Sequence, residues 1–290
     1  MKKKIKVAFQ GEEGAYSHLA CLELFPEAEI KACKTFDQVF KLANNNSDYK
    51  IIIPITNSST GSIADMHYLL PKYKLQIHAE HFLEVHHNLL GIKGTKIKDI
   101  KTVRSHTQAL SQCSKVILEN NFKAIVSTDT AGSAKFIFEK KDKSESAIAS
   151  ELAAKIYNLE ILKNNIEDEK GNVTRFLIMQ KEIKHPEYKK DKKYITSCIF
   201  KLKSIPAALY KALGGFATNS VNLCKLESFA VKNTFDQVQF YIEIESHIED
   251  SSLQKALEEL GFHTQQLDIL GVYEASQFRL KKNKQPIRIL

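Results

Sequence analysis

The chain has 290 residues, long for one domain and comfortable for two. Hydrophobic residues make up 43% of it, which excludes wholesale disorder. The formal net charge of +8 rests on lysines spread among acids, with arginine confined to Arg104, Arg175, Arg279 and Arg288; this reads as a solvated surface, not a nucleic-acid interface, and it suits an anionic substrate. Cys21, Cys33, Cys113, Cys198 and Cys224 are odd in number, widely spaced and never in CxxC register, so free thiols in a reducing cytoplasm are expected, with no disulfide framework and no metal site. The start, MKKKIKVAFQ, lacks the apolar stretch of a signal peptide, and no segment approaches the roughly 20 apolar residues of a membrane span.

In chain order, the first half repeats one unit: a short apolar strand, a loop of Gly, Ser and Thr, and an amphipathic helix. KVAFQ (6–10) runs through GEEGAYS (11–17) into a helix carrying Leu19 and Ala20. Phe36, Val39, Phe40 and Ala43 then recur at i, i+3, i+4 and i+7, with Thr35 and Gln38 as a capping-box start. The apolar run 51–55 enters TNSSTGS (56–62) and a helix with Ile63, Met66 and Leu70 on one face. KTVRS (101–105) leads into one helix bearing Ala109, Cys113, Val116 and Ile117. AIVST (124–128) leads into TAGSAKFIF (130–138), and AIAS (147–150) into ELAAKIYN (151–158). NVTRFLIM (172–179), after the polar loop IEDEKG (166–171), reads as a strand. The alternation predicts an α/β domain with largely parallel pairing.

The charged segment HPEYKKDKK (185–193) reads as a linker, dividing the chain into 1–184 and 194–290. Beyond it the order becomes strand, helix, strand, strand, helix, strand. The strands are YITSCIFKL (194–202), VNLCKLESFAV (221–231), QVQFYIEIE (237–245) and QQLDILGVY (265–273), with KNTFD (232–236) as a hairpin turn. One helix buries a stripe of Leu209, Ala212, Leu213 and Phe216, the other Leu253, Ala256, Leu257 and Leu260. This βαββαβ order is the ferredoxin-like α+β plan, with both helices on one sheet face.

In open α/β sheets ligands bind beyond the carboxyl ends of the strands. Those ends here are 11–17, 56–62, 105–108 and 127–133, all rich in hydroxyls and opening into helices. Each alone reads as an ordinary helix cap, whereas four together point to a small anionic ligand held by helix N-termini. His18, His86, His87 and His106 read as surface or capping residues, and Glu12 and Glu13 as loop or first-turn acids.

In order and spacing the chain resembles prephenate dehydratase from end to end. The motifs are GEEGAYSHLA (11–20), PITNSSTGS (54–62), SHTQALSQC (105–113), STDTAGSA (127–134), and AIASELAAKIYNLEIL (147–162) leading to Thr174-Arg175-Phe176. The resemblance implies a catalytic domain of two α/β lobes around a cleft, similar to periplasmic binding proteins, followed by an ACT domain. No chorismate mutase segment precedes the first strand, so a monofunctional enzyme is expected. It also implies prephenate as substrate, phenylalanine as effector, a homodimer or homotetramer and no cofactor. Thr174 would donate a hydrogen bond to the leaving hydroxyl. Asn57, Ser58, Ser105, Gln108 and Thr130 would hold a carboxylate. Arg175 either pairs with a carboxylate or braces the cleft, and Phe176 packs in the core rather than on the ring. An effector would sit between subunits near Asn222, Leu223, Glu227 and Ser228.

The chain departs from the family at four positions: Thr56 stands for the glutamate of a Glu-Asn-Ser loop, Ala207 for a glycine, and Phe229-Ala230 for Arg-Pro. Arogenate dehydratase is the nearest rival. An amino-acid-binding regulator without catalysis and a plain anion-binding protein are readings from other classes.

Overall fold

The computed structural model describes residues 4–182, 184–231 and 237–282. It divides into two compact units: Met1–Val39, Asp48–Ile63 and Phe82–Phe176 in the first, and Phe40–Ser47, Ala64–His81 and Leu177–Leu290 in the second. Among the described residues no helix is long and apolar enough to cross a membrane.

The chain opens with β1 (Lys6–Gln10), α1 (Tyr16–Leu24), β2 (Glu29–Cys33), α2 (Phe36–Asn45) and β3 (Tyr49–Asn57). β1 pairs in parallel with β2 and β3. Val7, Ala8 and Phe9, like Ile51, Ile52 and Ile53, are buried on both strand faces, as an unbroken apolar run requires of an inner parallel strand. Thr35 Oγ1 accepts from the Gln38 N–H, and the Gln38 side chain reaches back to the Lys34 N–H, so the capping box forms with its return bond one residue early. A two-residue strand, β4 (Gly61–Ser62), turns back on β3; α3 (Asp65–Tyr73) and β5 (Gln76–Glu84) follow.

A second sheet is built from β6 (Asn88–Gly91), β7 (Thr102–His106), β8 (Lys123–Ser127), β9 (Glu145–Ala149) and β10 (Glu160–Lys163), in the order β10-β6-β9-β7-β8. β7 runs parallel to β8 and β9, but β6 runs antiparallel to β9 and β10. The pairing is therefore mixed, not largely parallel, because two four-residue strands enter that the alternation does not reveal. The helices here are α4 (Thr107–Gln112), α5 (Ser114–Glu119), α6 (Thr130–Lys140) and α7 (Glu151–Ile156). β11 (Val173–Gln180) returns to the first sheet, whose order is β2-β1-β3-β11-β5.

The single helix expected over 107–119 is two. The break falls at Cys113, with φ −120° and ψ 27°. Asp168 sustains it: its carboxylate accepts from Ser114 Oγ at 2.6 Å and from the Lys115 N–H at 3.1 Å, supplying the cap that opens α5. The buried stripe survives, since Ala109, Cys113, Val116 and Ile117 still share a core with Leu89, Val103 and Ile148.

The second unit contains β12 (Tyr194–Leu202), α8 (Ala208–Thr218), β13 (Leu223–Ala230), β14 (Val238–Ile244), α9 (Ser251–His263), β15 (Thr264–Glu274) and α10 (Gln277–Lys282). The sheet order is β13-β14-β12-β15, antiparallel throughout. Both helical stripes pack on one face, with Ala212, Phe216, Leu253, Ala256 and Leu260 against Cys198, Phe200, Phe240 and Ile242. The turn expected at 232–236 lies outside the described residues.

Away from those helices the second unit buries a charged cluster. Arg279, on the unforeseen α10, bonds Glu80 from Nε at 2.7 Å and Glu243 from Nη2 at 2.9 Å, and both carboxylates are essentially buried. Glu243 also accepts from the Tyr241 hydroxyl at 2.7 Å. A buried triad of this kind tolerates loss of a partner poorly, because a charge is then left in low dielectric. Next to it the backbone packs without space: a Cβ on Gly271 would meet the Ile77 carbonyl oxygen at 2.3 Å.

Two substitutions should act in opposite directions. Gly271→Ala forces backbone atoms apart and should cost about 1–3 kcal/mol or more, read as a lower Tm. Ala207 sits at φ 57°, the left-handed conformation, before α8. That conformation costs a non-glycine residue roughly 1–2 kcal/mol, partly offset by the entropy glycine loses on folding, so Ala207→Gly should raise stability by about 0.5–1 kcal/mol.

Candidate active site

Asn57 closes β3, and its side-chain oxygen accepts from the backbone N–H of Ser59 at 3.0 Å and of Thr60 at 3.1 Å. This Asx turn needs an oxygen acceptor at that atom and so aims the amide nitrogen the other way. Asn57 Nδ2 lies 2.6 Å from Asn172 Oδ1 and 2.9 Å from Thr174 Oγ1. Ser58 sews the same loop to the start of β11: its N–H donates to the Val173 carbonyl and its Oγ accepts from the Val173 N–H, both at 2.9 Å. Residues 115 positions apart in the chain are held in register by one backbone bond and one side-chain bond, and Thr174 is presented one residue further on.

From Asn172 the bonding continues. Asn172 Nδ2 donates to Gln112 Oε1 at 3.0 Å, and that oxygen lies 2.9 Å from His87 Nε2. The His87 Nδ1 is 2.9 Å from the Tyr16 hydroxyl, which is 2.7 Å from the His86 carbonyl oxygen. A cavity of about 220 Å³ opens beside this chain, lined by Ser59, Gln112, Glu167, Asp168 and Asn172 among others. Two acids at its wall, Glu167 and Asp168, are engaged by their neighbours. Glu167 accepts from the His87 N–H at 3.0 Å and bonds His86 Nδ1 at 2.9 Å. Burial would raise its pKa, but those hydrogen bonds hold the carboxyl below the usual range. Burial also pushes the Tyr16 phenol well above its ordinary value and pulls the His87 imidazole below its own, the bond to Gln112 opposing the latter shift.

The residues singled out from sequence fall into three groups. Asn57, Ser58 and Thr174 are brought together. Ser105 is fully buried and its hydroxyl is spent on the Ile148 carbonyl at 2.6 Å. Gln108 is exposed, with its N–H capped by His106 Nδ1, and Thr130 opens α6 behind the capping carboxylate of Asp129. Arg175 is 6% exposed, its guanidinium 5.9 Å from the Phe82 ring, and Phe176 lies in the core. In the second unit, Asn222 donates to Glu245, Leu223 packs on the helix-side core, Ser228 is exposed, and Glu227 pairs with His67 at 3.3 Å and Lys225 at 3.2 Å. Phe229, in the position of the family's arginine, is buried and stacks on His67 at 4.8 Å.

His106 caps its helix as expected, and His18 accepts from the Gly14 N–H just ahead of α1. His87 is a correction: at 3% exposure it is neither a surface residue nor a cap but part of the chain behind Asn172. Sequence reading also passed over Asn172, Gln112 and Tyr16. Gln112 lay within a motif already noted and Asn172 at the mouth of a strand, but nothing in either position signals the other. Among the described residues no three His, Cys, Asp or Glu side chains gather as a metal site would need.

Comparison with known proteins bears on this site. A family model described as prephenate dehydratase matches residues 7–184. The bifunctional N-acyl-homoserine lactone acylase/prephenate dehydratase of Komagataeibacter europaeus is 40% identical, covering 95% of this chain and 98% of its own. The chloroplastic arogenate dehydratase/prephenate dehydratase 1 of Arabidopsis thaliana is 39% identical over 93% of this chain and 72% of its own. A crystal structure of prephenate dehydratase from Arthrobacter aurescens, in complex with L-Phe, superposes with a TM-score of 0.87 at 24% identity over 99% of this chain and 93% of that one, a likeness of fold.

The hub at Asn57 makes a stability test independent of any activity. Asn57→Asp keeps the acceptor for Ser59 and Thr60 but turns an oxygen on Asn172 Oδ1 and Thr174 Oγ1. A loss of about 1–3 kcal/mol is expected, read in thermal unfolding at neutral pH. An unchanged Tm would show that the amide nitrogen is not bonded as described.

Proposed function

Because the chain belongs to the prephenate dehydratase family, we propose that it is a carbon–oxygen lyase converting prephenate to phenylpyruvate, carbon dioxide and water on the route to phenylalanine. The observation that carries this reading is the 2.9 Å bond from Asn57 Nδ2 to Thr174 Oγ1. Prephenate holds a ring carboxylate opposite a ring hydroxyl. When the bond to the carboxylate breaks, its electron pair enters the ring and the C–O bond on the far side breaks, leaving an aromatic ring. The departing hydroxyl needs a proton or a strong hydrogen bond. A threonine is a weak acid, so its contribution must come from placement. An amide hydrogen donated to Oγ1 leaves the threonine hydrogen available to the leaving group and makes it a better donor.

The Asn57–Ser58 loop and the starts of α4 and α6, through Gln108 and Thr130, would hold the substrate carboxylates. Ser105 enters only through its backbone, since its hydroxyl is engaged. The burial of Arg175 supports its bracing role. Arogenate, which carries an amine where prephenate has its side-chain ketone, is the second substrate to test, since the Arabidopsis relative bears both names.

For regulation, the βαββαβ sheet of the second unit supports an ACT domain over 194–290, after a two-lobed catalytic domain over 1–184 and a linker over 185–193. Phenylalanine would bind near Asn222, Leu223, Glu227 and Ser228, between the subunits of a homodimer or homotetramer. The free thiols suit a cytoplasmic enzyme.

Phenylpyruvate formation from prephenate tests the proposal. Thr174→Ala should lower kcat by about 10²–10³ with little change in KM, as expected for an interaction that strengthens in the transition state. Thr174→Ser should keep more activity than the alanine variant. Equal losses would remove the hydroxyl from the account, and no turnover of prephenate or arogenate by folded enzyme would overturn the reading. Phenylalanine added over a wide concentration range should slow the wild type; an unchanged rate would reduce the ACT domain to a dimerisation device.

A further inference from the structure

The backbone N–H groups of Ser59 and Thr60 can only donate, so the atom of Asn57 that they reach is its oxygen. The Asn57 nitrogen therefore faces Asn172, which must offer its oxygen there and its nitrogen to Gln112. Gln112 in turn presents Oε1 to His87 Nε2. An oxygen at 2.9 Å requires a hydrogen on that nitrogen. A polarity set by two backbone groups thus runs through three side-chain amides and ends on one tautomer of a buried histidine.

The far side of the ring is pinned by a backbone acceptor as well. The Tyr16 hydroxyl donates to the His86 carbonyl at 2.7 Å, so its oxygen accepts from Nδ1 when the His87 ring carries both hydrogens; a neutral ring that keeps Nε2–H requires the Tyr16 hydrogen to turn from that carbonyl to Nδ1. Nε2 keeps its hydrogen in both cases. Burial favours the neutral ring, and the Glu167 carboxylate, accepting from the His87 N–H, anchors the backbone beneath it.

We propose that His87 is a positioning residue for the prephenate dehydratase reaction. Its Nε2–H closes the relay through Gln112 and Asn172 that keeps the Asn57 amide on Thr174 Oγ1, and so keeps the threonine hydrogen directed to the leaving hydroxyl. This role rests on the functional reading above; the tautomer beneath it does not.

The test compares wild type with His87→Leu and His87→Gln. The leucine removes the donor, and kcat should fall at least about tenfold while KM changes less than about threefold. The glutamine places an amide nitrogen where Nε2 stood and should recover most of the loss. Wild-type kcat in a folded His87→Leu, or no recovery in His87→Gln, overturns the proposal. Long-range 1H–15N spectra of wild type labelled with 15N-histidine read the tautomer without reference to turnover, and they remain decisive should His87→Leu not fold. A hydrogen on Nε2 of His87 is expected; one confined to Nδ1 overturns the relay. Wild type that turns over neither prephenate nor arogenate sinks the functional reading instead, and the spectra still decide whether the relay exists.

Discussion

Two backbone N–H groups, those of Ser59 and Thr60, take the side-chain oxygen of Asn57, and the orientation of the amide beside Thr174 follows from that turn. Had the amide been free to rotate, its nitrogen and oxygen would have competed for Thr174. Because the oxygen is engaged at the turn, the nitrogen is left to donate to Thr174 and to Asn172. In the proposed reaction a neutral side chain would thereby orient a hydroxyl, with the cost of ordering it met by folding the loop.

The surrounding fold keeps that turn in place. Ser58 bonds Val173 through both its backbone N–H and its hydroxyl, so the loop after β3 cannot move without pulling on the start of β11. Asp168 ends one short helix and caps the next, and its own N–H donates to the Gln112 carbonyl, fixing the backbone from which the Gln112 side chain meets Asn172. The break at Cys113 is thus tied to the site by hydrogen bonds, although the apolar stripe alone reads as one continuous helix.

Hydrophobic periodicity revealed elements that bury one clear face. The strand read at 194–202 has those bounds in the structure, and both helical stripes of the second unit pack where their spacing places them. β6 and β10 were not legible because four residues carry too little alternation to separate strand from loop. α10 was not legible because its reason to exist is Arg279 reaching two buried carboxylates, Glu80 being 199 residues away in sequence. Thr174 is an ordinary strand residue by composition; the family resemblance drew attention to it, and its contact with Asn57 gives it a physical role. His87 went the other way. A polar pair of histidines between apolar runs looks like surface, and only the fold shows that Gln112 and Tyr16 satisfy one of them in the interior.

In the proposed reaction Asn57 and Thr174 act as one unit. The most direct measurement is a double-mutant cycle on kcat with Asn57→Ala, Thr174→Ala and the double variant, each shown to be folded. Strong coupling is expected, about 1–3 kcal/mol, with the double variant no slower than the slower single one. Losses that simply add would leave the contact between the two side chains without a part in the chemistry.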